Sequence, residues 1–406
     1  MRKKNFLTIL FLFIWMFSYS QNNIKSIQLK PLEATNFSTI VPLGKTLQLS
    51  FDDMDADQKE YYYKIQHMSS DWKPSAISTN QYIIGFNQNI ILDYENSFNT
   101  LQNYTHYKVQ IPNSNTKIIE SGNYLISVLD DLQNVVFTRR FTLYENKALI
   151  GVSVIRSRKS KALNQQQTIQ FTINYNENEI RNPSQEIKTV VLQNKIWETA
   201  ISTLKPQSYR NNQLVYNYYN KPNFWSGNEY LNFDTKQIRN STIQIARVEK
   251  KDIYHTYLYT QKARNLKPYT YFPDINGQFV IRTIEAANSS TEADYSMVHF
   301  SLDADEITNK EIYVYGAFND FETTLENKMN FNSSTKKYEV SIILKQGFYN
   351  YTFVTKDKNN SLNTHEINGS FYQTENEYTV LVYYKAFGEN FQRVIGIGSA
   401  TVNQQE

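Results

Sequence analysis

The sequence predicts an all-β fold of tandem immunoglobulin-like β-sandwich domains. The chain of 406 residues holds 31 Tyr and 24 Phe, and aromatic residues favour strands. Apolar and polar residues alternate over 337–342, KYEVSI, as they do in a strand with one buried face. After the N-terminal apolar run, no window shows sustained helical periodicity. These three observations agree on a chain made of strands.

The first twenty residues have the organisation of an export signal. Arg2–Lys4 is basic, and the apolar run Phe6–Phe17 follows it. This run is too short to cross a bilayer of ~30 Å at ~1.5 Å per residue, and nothing anchor-like flanks it. Ser18–Ser20 is a small-x-small cleavage motif. We therefore predict a signal peptide that is cleaved between Ser20 and Gln21.

Composition narrows the cellular setting of the mature chain. There is no Cys, which excludes disulfides, thiolate metal sites and a lipid-modified Cys. An exported chain of this length without Cys fits a bacterial envelope better than a eukaryotic secretory route. Lys and Arg number 42 against 39 Asp and Glu. Because three of the basic residues fall in the signal, the mature chain is balanced and offers no global field for nucleic acid or acidic lipid.

We predict three β domains, at 21–146, 147–287 and 288–406. In the first, strands are expected at 24–29, 46–51, 61–68, 81–86, 93–100, 104–112, 125–129 and 135–144, with a turn at 121–124. About seven short strands in roughly 120 residues is the count of an immunoglobulin- or fibronectin-like sandwich.

The second and third domains show the same kind of pattern. In the second, strands are expected at 168–175, 188–193, 213–218, 229–233, 254–259 and 279–282. In the third, they are expected near 312–318 and at 337–342, 349–353, 377–384 and 392–397, with a turn at Lys345–Gly347. Tyr349, Tyr351 and Phe353 alternate, so they should share one face of their strand.

One acidic stretch imitates a calcium loop. Asp53, Asp55 and Asp57 have the right spacing, but Gln58 stands where the loop needs Gly and Lys64 where it needs Glu. We interpret the stretch as an acidic turn between strands. Trp72 lies just beyond the next strand, and we predict that it is a core or edge residue.

The search for catalytic motifs assigns no site. The five histidines are His67, His106, His255, His299 and His365. No two are four residues apart, as a zinc-binding helix requires, and the chain has no G-x-S-x-G motif. Gly396–Thr401 lacks the third Gly of a dinucleotide loop. We predict that the protein is not an enzyme, with no catalytic, cofactor-binding or metal-binding residue.

Residues 312–354 resemble the early-set β-sandwich modules that bind glycogen or precede amylase barrels. The matching segments are 315–321 (YGAFNDF), 336–340 (KKYEV) and 347–353 (GFYNYTF). The resemblance implies an early-set fold for the C-terminal domain. Sugar-binding members have Trp where Phe321 stands, and no Trp follows Trp225. A carbohydrate-binding envelope protein is the alternative function, with Phe321 as its contact residue.

A second resemblance covers nearly the whole mature chain. The segments that carry it, in order, are 67–75 (HMSSDWKPS), 82–86 (YIIGF), 93–100 (DYENSFNT), 104–107 (YTHY), 111–113 (IPN) and 121–124 (SGNY). Together with the C-terminal domain they resemble the plug protein of the type IX secretion system of Bacteroidota. The resemblance implies a periplasmic protein under a giant outer-membrane β-barrel translocon, whose pore it seals when no substrate is present. It implies neither a membrane span nor nucleic-acid binding. A scaffold without a gating role is a further alternative.

Overall fold

The computed structural model describes residues 23–33, 36–176 and 180–402. Within them the chain is almost entirely strand, and the prediction of an all-β sandwich protein is confirmed. Three four-residue helical turns accompany the strands: α1 (Thr79–Tyr82), α2 (Pro183–Glu186) and α3 (Ser289–Glu292). None of the helices in the described ranges is long and apolar enough to cross a membrane. The predicted signal cleavage between Ser20 and Gln21 lies outside the described residues.

The first eleven strands form the N lobe, residues 24–145. They are β1 (Ile24–Pro31), β2 (Ile40–Pro42), β3 (Leu47–Asp53), β4 (Tyr62–Met68), β5 (Ile83–Gly85), β6 (Gln88–Ile90), β7 (Asp93–Asn96), β8 (Thr105–Ile111), β9 (Thr116–Ile118), β10 (Gly122–Leu129) and β11 (Val135–Tyr144). A four-stranded sheet, β1-β3-β8-β7, packs on a five-stranded sheet, β2-β11-β10-β4-β6. Phe51 and Tyr107 of the first sheet and Tyr124 of the second fill the core between them.

The remaining strands follow in chain order. They are β12 (Leu149–Arg156), β13 (Gln166–Asn174), β14 (Ile187–Gln193), β15 (Ile196–Ile201), β16 (Ser208–Arg210), β17 (Gln213–Tyr216), β18 (Asn223–Trp225), β19 (Leu231–Asp234), β20 (Ile245–Lys250), β21 (Tyr254–Leu258), β22 (Gln261–Lys262), β23 (Phe279–Ile281), β24 (Tyr295–Asp303), β25 (Lys310–Tyr315), β26 (Lys328–Asn332), β27 (Lys337–Lys345), β28 (Gly347–Asp357), β29 (Leu362–Asn363), β30 (Glu377–Tyr384) and β31 (Arg393–Thr401).

The sheets cross the predicted boundary between residues 287 and 288. The last two strands, β30 and β31, do not join the sheets formed by the preceding C-terminal strands. They extend the sheet of β14 and β15, in the order β15-β14-β30-β31. With β12 to β18 they form what we call the M lobe. In the opposite direction, β19 and β23 pair with β28. The strands from β19 to β29 form the C lobe, whose main sheet has the order β19-β28-β25-β26-β27-β24-β21-β20. The pairing of β21 with β24 is parallel.

The sheet β15-β14-β30-β31 is buried on both faces. Val191, Val380 and Val382 face the core of the M lobe, whereas Val190 and Leu381 pack beneath Ile40 of the N lobe. A strand that is covered on both sides reads as a continuous apolar run, which explains the sequence EYTVLVYY of β30. This double burial explains why β30 pairs with β14 rather than with the strands that precede it in sequence. Both of its faces are apolar, and both are buried in this position.

The turn predicted at Lys345–Gly347 is a bend at Gln346, between β27 and β28. Here the chain passes from β27 to β28, which do not pair with each other, so the turn is not a hairpin. Lys345 and Gln346 are only 2% and 3% exposed. Tyr349, Tyr351 and Phe353 enter one aromatic core, as predicted.

Two local predictions in the N lobe also need correction. The strand expected over 81–86 begins as the helical turn α1. Before this turn, Ser78 donates hydrogen bonds from its backbone N–H and its hydroxyl to Gln81 Oε1. The turn expected at 121–124 is already strand from Gly122 onward. Tyr124 instead points into the core, stacked on Phe141 at a ring-centroid distance of 5.3 Å.

We predict that Leu381→Ala lowers the free energy of unfolding by about 2–5 kcal/mol, because it leaves a cavity beneath the N lobe. Leu381 is 0% exposed. The control is Leu325→Ala, at a leucine that is 77% exposed and should change stability by less than about 0.5 kcal/mol. Urea denaturation of both variants measures the difference. Equal losses would contradict the double burial of this sheet.

Candidate functional site at the junction of the lobes

The junction between the N lobe and the C lobe is organised around Asp52, a fully buried carboxylate on β3. Its Oδ2 accepts hydrogen bonds from Lys345 Nζ at 2.6 Å and Tyr295 Oη at 2.7 Å, both in the C lobe. Its Oδ1 lies 2.6 Å from His106 Nδ1. Ser26 Oγ lies 2.7 Å from Tyr295 Oη and extends the network. Three groups from two lobes therefore converge on one carboxylate, and Ser26 supports one of them.

Strand pairing places these groups side by side. His106 on β8 is the direct cross-strand partner of Asp52 on β3. Tyr295 on β24 is likewise the direct partner of Lys345 on β27. Paired residues in a sheet point to the same face, so each lobe presents two polar groups that were positioned by its own sheet. The network forms when the two faces meet.

Electrostatics favour an ionised Asp52. Burial alone raises its pKa, but the attraction of Lys345 and the hydrogen bond from His106 outweigh burial and hold the pKa below its usual range. Burial lowers the pKa of Lys345, and the neighbouring Asp52 opposes that shift. Lys345 Nζ also donates to the Ser290 carbonyl at 2.6 Å and lies 4.0 Å from the ring centroid of Tyr104. The ammonium is thus solvated by protein groups in place of water.

A second carboxylate binds a loop of the N lobe to the start of β24. The Asp294 carboxylate accepts hydrogen bonds from the backbone N–H groups of Leu101 at 2.8 Å and Gln102 at 3.2 Å. The neighbouring Phe98 N–H donates to the Thr291 carbonyl at 2.9 Å. Tyr104 Oη donates to the Ala293 carbonyl at 2.8 Å. These contacts fix the orientation of the two lobes as well as their separation.

Two adjacent arginines of β11 reach the other two lobes. Arg139 Nη1 lies 3.2 Å from Asp320 of the C lobe, and Arg140 Nη1 lies 3.2 Å from Glu198 of the M lobe. Successive side chains of a strand point to opposite sides, which lets one strand contact both neighbours. The two ion pairs border a groove of about 440 Å³ where all three lobes meet.

Aromatic residues that were singled out in the sequence lie at or beside this groove. Trp72 is half-buried, and its ring packs edge-on against Trp197 of the M lobe at 4.7 Å, with the Arg140 guanidinium 5.1 Å from its centroid. Phe321 lines the groove with its ring against Tyr315 at 5.4 Å. Trp72 is therefore an interlobe contact residue, and Phe321 is part of the lobe junction.

The acidic turn has an internal cation. Lys59 Nζ lies 3.0 Å from Asp53 Oδ2 and 3.5 Å from Asp57 Oδ1, and it also contacts the Asp55 carboxylate. The three carboxylates come close enough to hold a metal ion. In the structure, the lysine ammonium lies among them and supplies the opposing charge.

Sequence reasoning missed the Asp52 network. The sequence pattern gives Asp52 no role and marks Lys345 only as a turn residue. Tyr295 lies on β24, a strand that was not predicted at all. The available signal was the apolar alternation of 295–303, YSMVHFSLD, which is typical of a half-buried strand. Even so, a buried ion pair between residues 293 positions apart has no local sequence signature.

The comparisons with known proteins agree with this architecture. Residues 24–145, the N lobe, match the family model described as the type 9 secretion system plug protein 1st domain. A crystal structure of a hypothetical protein from Parabacteroides merdae shares 30% identity and a TM-score of 0.89, over 93% of this chain and 97% of that one. The N lobe is therefore similar to the first domain of type 9 secretion system plug proteins. No curated protein matches the chain.

The match of the N lobe to the plug family model and the all-β fold point to a structural rather than a catalytic role. The match to the plug family model ends at residue 145. The resemblance of residues 312–354 to early-set modules therefore stays a prediction.

We predict that Lys345→Met and Asp52→Asn each lower the free energy of unfolding by about 3–5 kcal/mol, because each leaves a buried group without its partner. The double variant should lose less than the sum, since no lone buried charge remains. Urea denaturation of the four proteins measures the coupling. Lys358→Met, at an exposed lysine, is the control and should be near neutral. Strict additivity would contradict a direct interaction.

We also predict that stability falls as the pH drops from about 6.5 towards 4, because of His67. The His67 ring is buried against Tyr124 and Phe391, and burial lowers its pKa to about 4. Between these pH values the unfolded chain binds a proton at His67 and the folded chain does not. The free energy of unfolding therefore falls by about 3 kcal/mol. Chemical denaturation between pH 7 and pH 4.5 measures this slope. His67→Gln should flatten it, and an unchanged slope in the variant would contradict the assignment.

Proposed function

We propose that this protein is a non-enzymatic periplasmic plug that docks on the outer-membrane translocon of type IX secretion and seals its pore when no substrate is present. The observation that carries the proposal is the family match over the N lobe, together with a relative that is similar along almost the whole chain. The predicted export signal supports a location beyond the inner membrane, where the periplasmic mouth of such a pore is found.

The lobe contacts support a steric mechanism. A plug excludes solutes only while its parts stay in contact, so its lobes must not move independently. Here Asp52 and Asp294 bind the N lobe to the C lobe, and Tyr383 Oη of the M lobe donates to Asn123 Oδ1 of the N lobe at 2.9 Å. Buried contacts of this kind make the three lobes act as one body. Interdomain interfaces without them usually permit relative motion.

The surface suits a contact that must later be released. Side chains of tyrosine are partly exposed in all three lobes, at Tyr94, Tyr209, Tyr219, Tyr259 and Tyr271. Tyrosine buries a large area while its hydroxyl keeps a partner, and it is enriched in interfaces of mixed polarity. We expect a docking interface of moderate size, which substrate or a shuttle protein displaces.

The proposal predicts that the protein co-purifies with the large translocon barrel from native outer membranes. Tagged translocon is isolated from cells that secrete cargo and from cells in which mature cargo is depleted. The fraction that carries this protein should rise when cargo is depleted, because an empty pore is the state to be sealed. If the protein never co-purifies, even without cargo, the proposal fails.

Antibiotic entry separates sealing from scaffolding. A strain that lacks the gene should admit a large antibiotic that an intact outer membrane excludes, and the wild-type gene should restore exclusion. Lys345→Met tests whether locked lobes are needed, with Lys358→Met as the matched surface control. If the deletion strain still excludes the antibiotic although the protein co-purifies with the translocon, the protein does not seal the pore. It would then act as a scaffold without a gating role.

A further inference from the structure

Two histidines that are 44 residues apart meet on the outer face of the C lobe. His255 lies on β21 and His299 on β24, two parallel neighbours in one sheet. His255 Nδ1 lies 2.9 Å from His299 Nε2. The N lobe covers this sheet face at Tyr295, but four residues further along β24 His299 is only half-buried. The pair is therefore separate from the Asp52 network and accessible from solvent.

The surroundings hold His299 in a defined orientation. The Tyr257 ring stacks on it at a centroid distance of 4.1 Å with an interplanar angle of 7°. On the other side, Ser341 Oγ lies 2.7 Å from His299 Nδ1. A hydroxyl that accepts from Nδ1–H leaves Nε2 as the acceptor nitrogen of the ring, which now faces His255 Nδ1. An Nδ1–H that is held in this way is the usual arrangement behind a metal-bound histidine.

We propose that His255 Nδ1 and His299 Nε2 bind one divalent transition-metal ion of the zinc type. The spacing of the two rings is the first argument. Their centroids are 5.2 Å apart. With Zn–N bonds of about 2.0–2.1 Å, ring radii of about 1.15 Å and a tetrahedral angle, the rings of a chelating pair are also about 5.2 Å apart.

Only a small rearrangement is then needed. The two nitrogens face each other at 2.9 Å, and tetrahedral ligation needs about 3.3–3.4 Å between them. Rotation about the side-chain torsions of the two histidines supplies this widening. The hydrogen that His255 holds on Nδ1 transfers to its other ring nitrogen, and a neutral pair releases no net proton.

The residue types around the pair fit the same class of ion. Glu249 on β20 is the direct cross-strand partner of His255. Its carboxylate now accepts from Tyr257 Oη at 3.2 Å and pairs with Arg247 at 3.1 Å and Lys251 at 3.2 Å, so these contacts must be given up when it binds the ion. Two imidazoles and one carboxylate, with an open position for water, form a ligand set that suits zinc. We assign Glu249 as the third ligand, reached by rotation of its side chain. This inference goes beyond pore sealing and does not depend on it.

The test is calorimetric titration of ZnCl₂ into the untagged mature chain, in a buffer that does not bind metal. We expect one ion per chain from this site, with an affinity that falls by about tenfold or more in His255→Asn and in His299→Gln. The matched control is His365→Gln, because His365 stacks on Trp225 without a second histidine. It should leave the affinity unchanged.

A second readout guards against misfolded variants. Co²⁺ bound to the wild-type chain should give the visible absorption of a tetrahedral site, and His299→Gln should abolish it while the thermal melting curve stays cooperative. Absence of zinc binding would overturn the proposal. So would binding that is unaffected by either histidine substitution, since the ion would then lie elsewhere, for example at the acidic turn of Asp53. Unchanged affinity in Glu249→Gln would remove Glu249 from the ligand set.

Discussion

The structure depends on one sheet that is buried on both faces. The sheet β15-β14-β30-β31 contributes Val191, Val380 and Val382 to the core of the M lobe, and Val190 and Leu381 to the contact with the N lobe. Two strands from the C-terminal end of the chain complete it. The sandwich of the M lobe is therefore complete only when β30 and β31 are included. The face of this sheet that points away from the M-lobe core is apolar, and the N lobe covers it.

Apolar burial holds the lobes together, and buried polar contacts define how they meet. Apolar surfaces tolerate sliding because hydrophobic attraction has no direction. A carboxylate such as Asp52 permits little sliding, since each displaced partner would leave a buried charge without a hydrogen bond. Asp52 and Asp294 thus give the N lobe and C lobe one relative orientation. The plug function that we propose would need such an orientation more than it needs a reactive group.

The same geometric rule produces the two polar sites of the C lobe. Lys345 and Tyr295 are direct partners across β27 and β24, and they serve the lobe junction. His255 and His299 lie across β21 and β24, further along the same sheet face. Pairing of strands brings together side chains that are far apart in sequence, and the N lobe covers one of these two sites while it leaves the other open to solvent.

The sequence by itself determined the all-β class and many of the strands, because alternation and aromatic content are local properties. The strands expected at 135–144 and 377–384 agree with β11 and β30 to the residue. Only the tertiary structure decided that β30 belongs with β14, that Lys345 is buried, and that His255 lies against His299. Each of these depends on which strands become neighbours. The order of strands depends on how entire faces of the sheets become buried. The sequence of a single strand does not show which other strand or sheet will pack against it.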